Sequence, residues 1–223
     1  MIKQVLLTAS MLAAAMSLSS LANADIISQT LGGVDFTDGQ MVGTGTFNTT
    51  NASQPAPFNA YIGSDLNTGP NFSANWAFNY GSIAGTITQA TLQIGLLDGD
   101  SGAPGNQVQS YTIGGVDLTS LLNTAMEANP GATGHENYYT ITLPVSAFSV
   151  LAGGSPTVSL ALQGPGLGVL GTTPFNGAGL DFSTITIDTA AAVPGPIAGA
   201  GVPGLLFAGA GLLGWWRRRQ KIA

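Results

Sequence analysis

The chain contains no cysteine, so no disulfide, thiol nucleophile or thiolate metal ligand can be built from it. It has a single histidine, His135, and two glutamates, Glu127 and Glu136. A zinc site needs several nitrogen or sulfur ligands, and one imidazole cannot supply them. Charge is also scarce: 7% of residues are charged, against about a quarter in ordinary domains. The five basic residues are Lys3, Arg217, Arg218, Arg219 and Lys221, all near the ends. The eleven acids lie between Asp25 and Asp188, so that stretch carries a formal charge of −11 and no Lys or Arg. Nucleic acid is excluded as a partner, because nothing there neutralises phosphates. Arginine-based capture of anionic substrates is excluded for the same reason.

What is present at the two ends concerns address. Residues 1–24 read as a signal peptide: Lys3, an apolar stretch from Val5 to Met16, then Ala22-Asn23-Ala24 as a small-residue cleavage pattern for signal peptidase. The apolar run is short for a membrane span of ~20 residues. Removal after Ala24 would export a body, 25–188, long enough to build its core without disulfides. Residues 189–196 read as a linker. Residues 197–216 are uncharged over a transmembrane length. Residues 217–223 form a basic tail that the positive-inside rule keeps in the cytoplasm, with Trp215 and Trp216 at headgroup level.

Val193-Pro194-Gly195-Pro196, the apolar run from Ile197 to Trp216, and Arg217-Arg218-Arg219 follow one another in that order. Together they resemble the PEP-CTERM sorting signal of Gram-negative bacteria, with Gly195 where that family usually carries Glu. The resemblance implies an exosortase-type membrane transpeptidase as a partner, cutting near Pro194 to Pro196. It implies transient anchoring in the inner membrane and delivery of the body to the cell surface or extracellular polysaccharide matrix. The stretches "LDGDSGAPGNQ", "IGGVDLTSLLN" and "NGAGLDFSTITI" resemble bodies attached to the same kind of tail, which implies a recurring domain and no particular activity.

The body reads as strands. "NFSANWAFNY" puts Phe72, Ala74, Trp76, Phe78 and Tyr80 on one face by alternation. Leu92, Ile94 and Leu96 continue the pattern, as do Tyr139, Ile141 and Leu143, and Val158, Leu160 and Leu162. "QVQSYTIGG" adds Val108, Tyr111 and Ile113. "GLDFSTITID" adds Leu180, Phe182, Ile185 and Ile187, with a break in alternation near Ser183. "VDLTSLLNTAMEANPG" spaces Leu118, Leu121, Leu122 and Met126 as a helix, capped by Asp117 or Thr119 and ended by Pro130-Gly131. A second helical turn fits Pro144 to Leu151, and residues 38–70, rich in Gly, Asn, Thr and Pro, read as looser chain. The expectation is an all-β fold, a jelly-roll-like β-sandwich of roughly eight to ten strands with one inserted short helix. A signal helix would precede it and a transmembrane helix follow it.

Asp98 and Asp100, two carboxylates in a Gly-rich turn, suit calcium, with Asp181 as a third ligand if folding brings it close. The same pattern also reads as an ordinary Asp-Gly turn. Gly99-Asp100-Ser101-Gly102 is similar to the nucleophile motif of trypsin-like proteases, yet His135 follows Ser101, the reverse of that family's order. Glu127 and Glu136 are the glutamates available to a glycosidase pair, and Glu127 falls late on the helix, on a solvated face. Trp76, Phe78 and Tyr80 read as a sugar-stacking platform or as one buried face, and alternation favours burial. The leading expectation is an exported, surface-sorted, non-catalytic protein of the matrix or biofilm. A carbohydrate-binding module is the alternative, with a secreted hydrolase third. No cofactor is expected unless the Asp98–Asp100 turn takes calcium, and extracellular polysaccharide is the expected ligand class.

Overall fold

The computed structural model describes residues 25–64, 69–102, 105–164 and 175–190, together with residues 210, 211, 216, 217 and 220. The expected signal peptide, the Val193 to Pro196 motif and most of the expected span lie outside the described residues. Among the described residues no helix is long and apolar enough to cross a membrane. Ala24–Ala190 forms a compact unit with its own hydrophobic core.

That unit is mostly strand. The strands are β1 (Ile26–Gly32), β2 (Tyr61–Ile62), β3 (Ser73–Ala77), β4 (Ile87–Leu97), β5 (Val108–Ile113), β6 (Val116–Asp117), β7 (Glu136–Thr142), β8 (Thr157–Leu162) and β9 (Ala178–Thr189). The helices are α1 (Thr44–Asn51), α2 (Thr119–Ala128) and α3 (Phe148–Ala152), with a 3₁₀ turn at Val145–Ala147 leading into α3. Two antiparallel sheets result. One has the order β1-β9-β4-β7, with β2 added on β9; the other has the order β3-β8-β5-β6.

Alternation explains why the sheets face each other. Trp76, Tyr111, Val158 and Leu160 of the smaller sheet meet Leu92, Ile94, Tyr139, Ile141, Ile185 and Ile187 of the larger in one buried cluster. Full burial of each aliphatic side chain is worth about 1.5–3 kcal/mol, which lets a cysteine-free body hold together. Three bulges interrupt the pairing; one leaves Thr88 as an extra residue between Ile87 and Gln89 of β4, and the other two reset the pattern. In β5 the register shifts between Val108 and Ser110, so Val108, Tyr111 and Ile113 all point inward. In β9 the shift falls opposite Gly95 and Leu96 and leaves Asp181 as the extra residue. The irregularity expected near Ser183 is this bulge, two residues earlier, and it turns Phe182 to the outer face against Tyr138 instead of inward with Leu180, Ile185 and Ile187.

Four expectations need correction. The chain between residues 38 and 64 is packed, not loose: it contains α1 and β2 and buries Phe47 and Phe58. β1 has no counterpart in the strand reading, because its half-buried, half-exposed pattern carries only two core-side apolar residues, Ile27 and Leu31. Leu118, just before α2, and Leu122 and Met126 within it are buried, whereas Leu121 is exposed. The cap position of α2 is Leu118. Asp117 instead accepts hydrogen bonds from the Thr119 amide at 2.9 Å and hydroxyl at 2.6 Å, which holds its carboxyl below the usual range.

Candidate functional site

The two ends of the body meet at one pole. The Thr189 amide donates to the Asp25 carbonyl at 2.9 Å, and Ala190 donates to Thr86 at 2.8 Å. β4 runs from Ile87, beside Thr189, to Leu97, beside Gly179 and Glu136. At roughly 3.3 Å per residue, strands this long separate the chain ends from the opposite pole by about 35 Å. Asp98, Asp100, Ser101 and His135 occupy that far pole, as loops following β4 and preceding β7.

Several of the residues singled out by sequence hold structural hydrogen bonds there. Asp98 and Asp100 both adopt left-handed backbone, with φ of 58° and 52°. The Asp98 carboxylate accepts the Gly134 amide at 2.5 Å and the Tyr61 hydroxyl at 3.4 Å, tying the turn to the next loop. Asp181 lies in the β9 bulge and accepts from Asn51 Nδ2 and the Asp35 amide, both at 3.1 Å. Among the described residues no group of three or more His, Asp or Glu is placed to hold a metal ion. Ser101 is buried, its Oγ accepting from the Gly131 amide at 2.7 Å and from the Tyr139 hydroxyl at 2.5 Å. His135 Nδ1 pairs with the Thr133 carbonyl of its own loop. Trp76 and Phe78 are core residues, and Tyr80 is half-buried with its hydroxyl on the Leu151 carbonyl. The aromatic platform is therefore inside the protein. Glu127 is exposed beside a shallow groove along α2, lined also by Asn106, Ser120, Asn123 and Thr124. Asn123 is spent there on both backbone groups of Val108.

Glu136 is the residue whose surroundings the sequence conceals. It is fully buried, and neither carboxyl oxygen has a hydrogen-bond partner. It sits on the outer face of the larger sheet, opposite Leu97, beneath a cover made by residues 35–51. The cover is laced to it by Gly39 donating to the Glu136 carbonyl at 2.7 Å and Glu136 donating to Gln40 at 2.8 Å. Phe36 stacks on Phe47 at 5.8 Å, and both pack with Val42 and Leu97. Two glycines make the room: a Cβ at Gly95 would lie 2.5 Å from Glu136 Oε1 and from the Phe182 ring, and one at Gly179 would lie 2.6 Å from the Phe47 ring. Burial, with Asp181 and Asp38 adding repulsion, pushes the Glu136 carboxyl up to about 9, so it stays protonated at neutral pH.

Beyond the cover the same outer face is open, and here pairing register builds something that no single strand displays. Thr30, Thr184, Gln93 and Thr140 form one row across β1, β9, β4 and β7. Ser28, Thr186, Thr91 and Thr142 form the next. All eight are exposed or half-buried. Hydroxyl and amide contacts run along the rows: Thr30 to Thr184 at 2.8 Å, Gln93 Nε2 to Thr140 at 2.8 Å, and Ser28 to Thr186 at 3.5 Å. The result is an uncharged surface of fixed donors and acceptors, with neighbouring side chains within a row about 4.8 Å apart. Each strand alone shows only the ordinary polar half of its alternation.

No family model matches the chain, and no curated protein matches it. Solved structures do match at a distance. A wild-type BuGH86 chain in complex with neoagarooctaose is 11% identical with a TM-score of 0.37, over 74% of this chain and 19% of that one. A family 35 carbohydrate-binding module from an environmental isolate is 14% identical with a TM-score of 0.32, over 78% of this chain and 96% of that one. The chain thus spans about a fifth of the BuGH86 protein. Likenesses this distant do not bear on ligand.

Proposed function

We propose that this is an exported, non-catalytic protein of the cell surface or extracellular matrix whose body binds neutral polysaccharide through the open face of its larger sheet. The observation that carries the reading is the two-row Ser/Thr/Gln surface in a body without Lys or Arg. Hydroxyl and carboxamide groups exchange hydrogen bonds with sugar hydroxyls in both directions. An anionic polymer would meet a body of formal charge −11 with no cation to pair with. We read the sandwich as a jelly roll, because the chain passes from sheet to sheet in the sequence that gives β1-β9-β4-β7 against β3-β8-β5-β6. The export, sorting and cleavage of the chain belong to the same proposal and rest on its terminal segments.

Binding to a panel of neutral polysaccharides (cellulose, xylan, mixed-linkage glucan, dextran) and anionic ones (alginate, pectate), followed by affinity electrophoresis, tests the reading. At least one neutral polymer should retard the body, and the anionic ones should not. Replacing Gln93 and Thr184 together by Ala should weaken that retardation about tenfold, equivalent to 1.4 kcal/mol. Absence of retardation by every neutral polymer, or full retention in the double variant, would overturn it.

A further inference from the structure

The larger sheet has an open edge. Because Thr189 donates to Asp25, the residues of β1 that exchange hydrogen bonds with β9 are the odd-numbered ones: Ile27, Gln29 and Leu31. The backbone groups of Ile26, Ser28 and Thr30 therefore point away from β9. Among the described residues nothing pairs with that side: β2 lies further along β9, at Ala178 and Gly179, and does not cover it. Soluble proteins usually blunt such an edge with lysine, proline, an inward charge or a bulge. β1 reads Ile-Ile-Ser-Gln-Thr-Leu-Gly, with none of these, and its register against β9 is unbroken. Ile26 is 68% exposed. The opposite edge is different, since along β7 the chain segment at residues 38–40 occupies Glu136 and the Asp38 carboxylate takes the Tyr138 amide.

We propose that β1 is a docking edge for a second copy of this chain, the two β1 strands pairing antiparallel about a two-fold axis at Gln29. Of the possible registers this one overlaps the whole strand. It places Ser28 of one copy against Thr30 of the other as the hydrogen-bonded pair, so the free amides find carbonyls. It sets Ile27 of one copy against Leu31 of the other on the core side, covering two side chains that the single copy leaves half-buried. It places Asp25 against Gly33, so no carboxylate faces another, which matters in a body of charge −11. An isologous pair closes on itself and gives a dimer. The two polar faces then become one surface eight strands wide. The inference stands apart from the polysaccharide reading, because it depends on backbone pairing and not on what the face binds.

The cysteine-free sequence makes the test clean. In the proposed register the two Gln29 residues form a non-hydrogen-bonded pair with Cα atoms about 4.5 Å apart, within the reach of a disulfide. Gln29→Cys body, residues 24–190, should convert to a disulfide-linked dimer under mild oxidation, and Thr140→Cys at the other edge should not. Unsubstituted body should sediment as a dimer at high micromolar concentration. Thr30→Pro, which removes an edge amide that β9 does not use, should sediment as a monomer with its circular dichroism retained. A monomeric unsubstituted body, a dimer that survives Thr30→Pro, or equal cross-linking at positions 29 and 140 would each overturn the proposal. Should Thr30→Pro fail to fold, the contrast between positions 29 and 140 decides alone.

Discussion

Replacing Glu136 by Gln should stabilise the protein at neutral pH, an unusual outcome for a fully buried polar residue. The carboxyl titrates near 4.5 when free and at about 9 in the fold, where burial and the nearby Asp181 and Asp38 oppose its charge. Between those values the folded chain holds a proton that the unfolded chain has released. The contribution of Glu136 to stability therefore falls as pH rises from 4.5 towards 9 and is constant outside that window. At pH 7 the loss is about 3 kcal/mol, from 1.36 kcal/mol per pH unit over 2.5 units. Gln has the same shape and no proton to hold, so it avoids that loss. Melting followed by circular dichroism from pH 4 to pH 9 should show the two proteins matching near pH 4.5. By pH 7, Glu136→Gln should be ahead by roughly 6–12 °C at this chain length. A gap that does not change with pH, or a Gln variant that melts lower at pH 7, would refute the assignment of a neutral, unpartnered carboxyl beneath the cover.

Gly95→Ala should cost about 1–3 kcal/mol, read as a lower urea midpoint, because the new methyl meets both Glu136 and Phe182 where neither has room to retreat. Trypsin should leave the body intact even in urea, since residues 25–190 contain no Lys or Arg, whereas chymotrypsin should cut it only once it unfolds.

Much of the body was legible in the sequence because a strand in a two-sheet protein writes its burial as a period of two. Trp76, Ile94, Tyr139, Ile141 and Leu160 declare their inward direction locally, and so does the helical spacing of Leu118, Leu122 and Met126. Composition likewise settled the missing thiols, the missing cations and the solitary histidine, and with them whole classes of chemistry. Partnership was decided elsewhere. Whether Asp181 would meet Asp98 depended on a bulge that turned it towards Asn51 and Asp35. Glu136 looks like the solvent half of an alternating strand, and only the return of residues 35–51 across β7 buries it. The Ser/Thr/Gln rows exist because four strands far apart in the chain align in one register, and the open edge exists because, among the described residues, β1 pairs on one side only. Local pattern fixes which way a side chain faces. What it faces is set by long-range pairing, whose hydrogen bonds are the same for every residue and so leave no mark in the sequence.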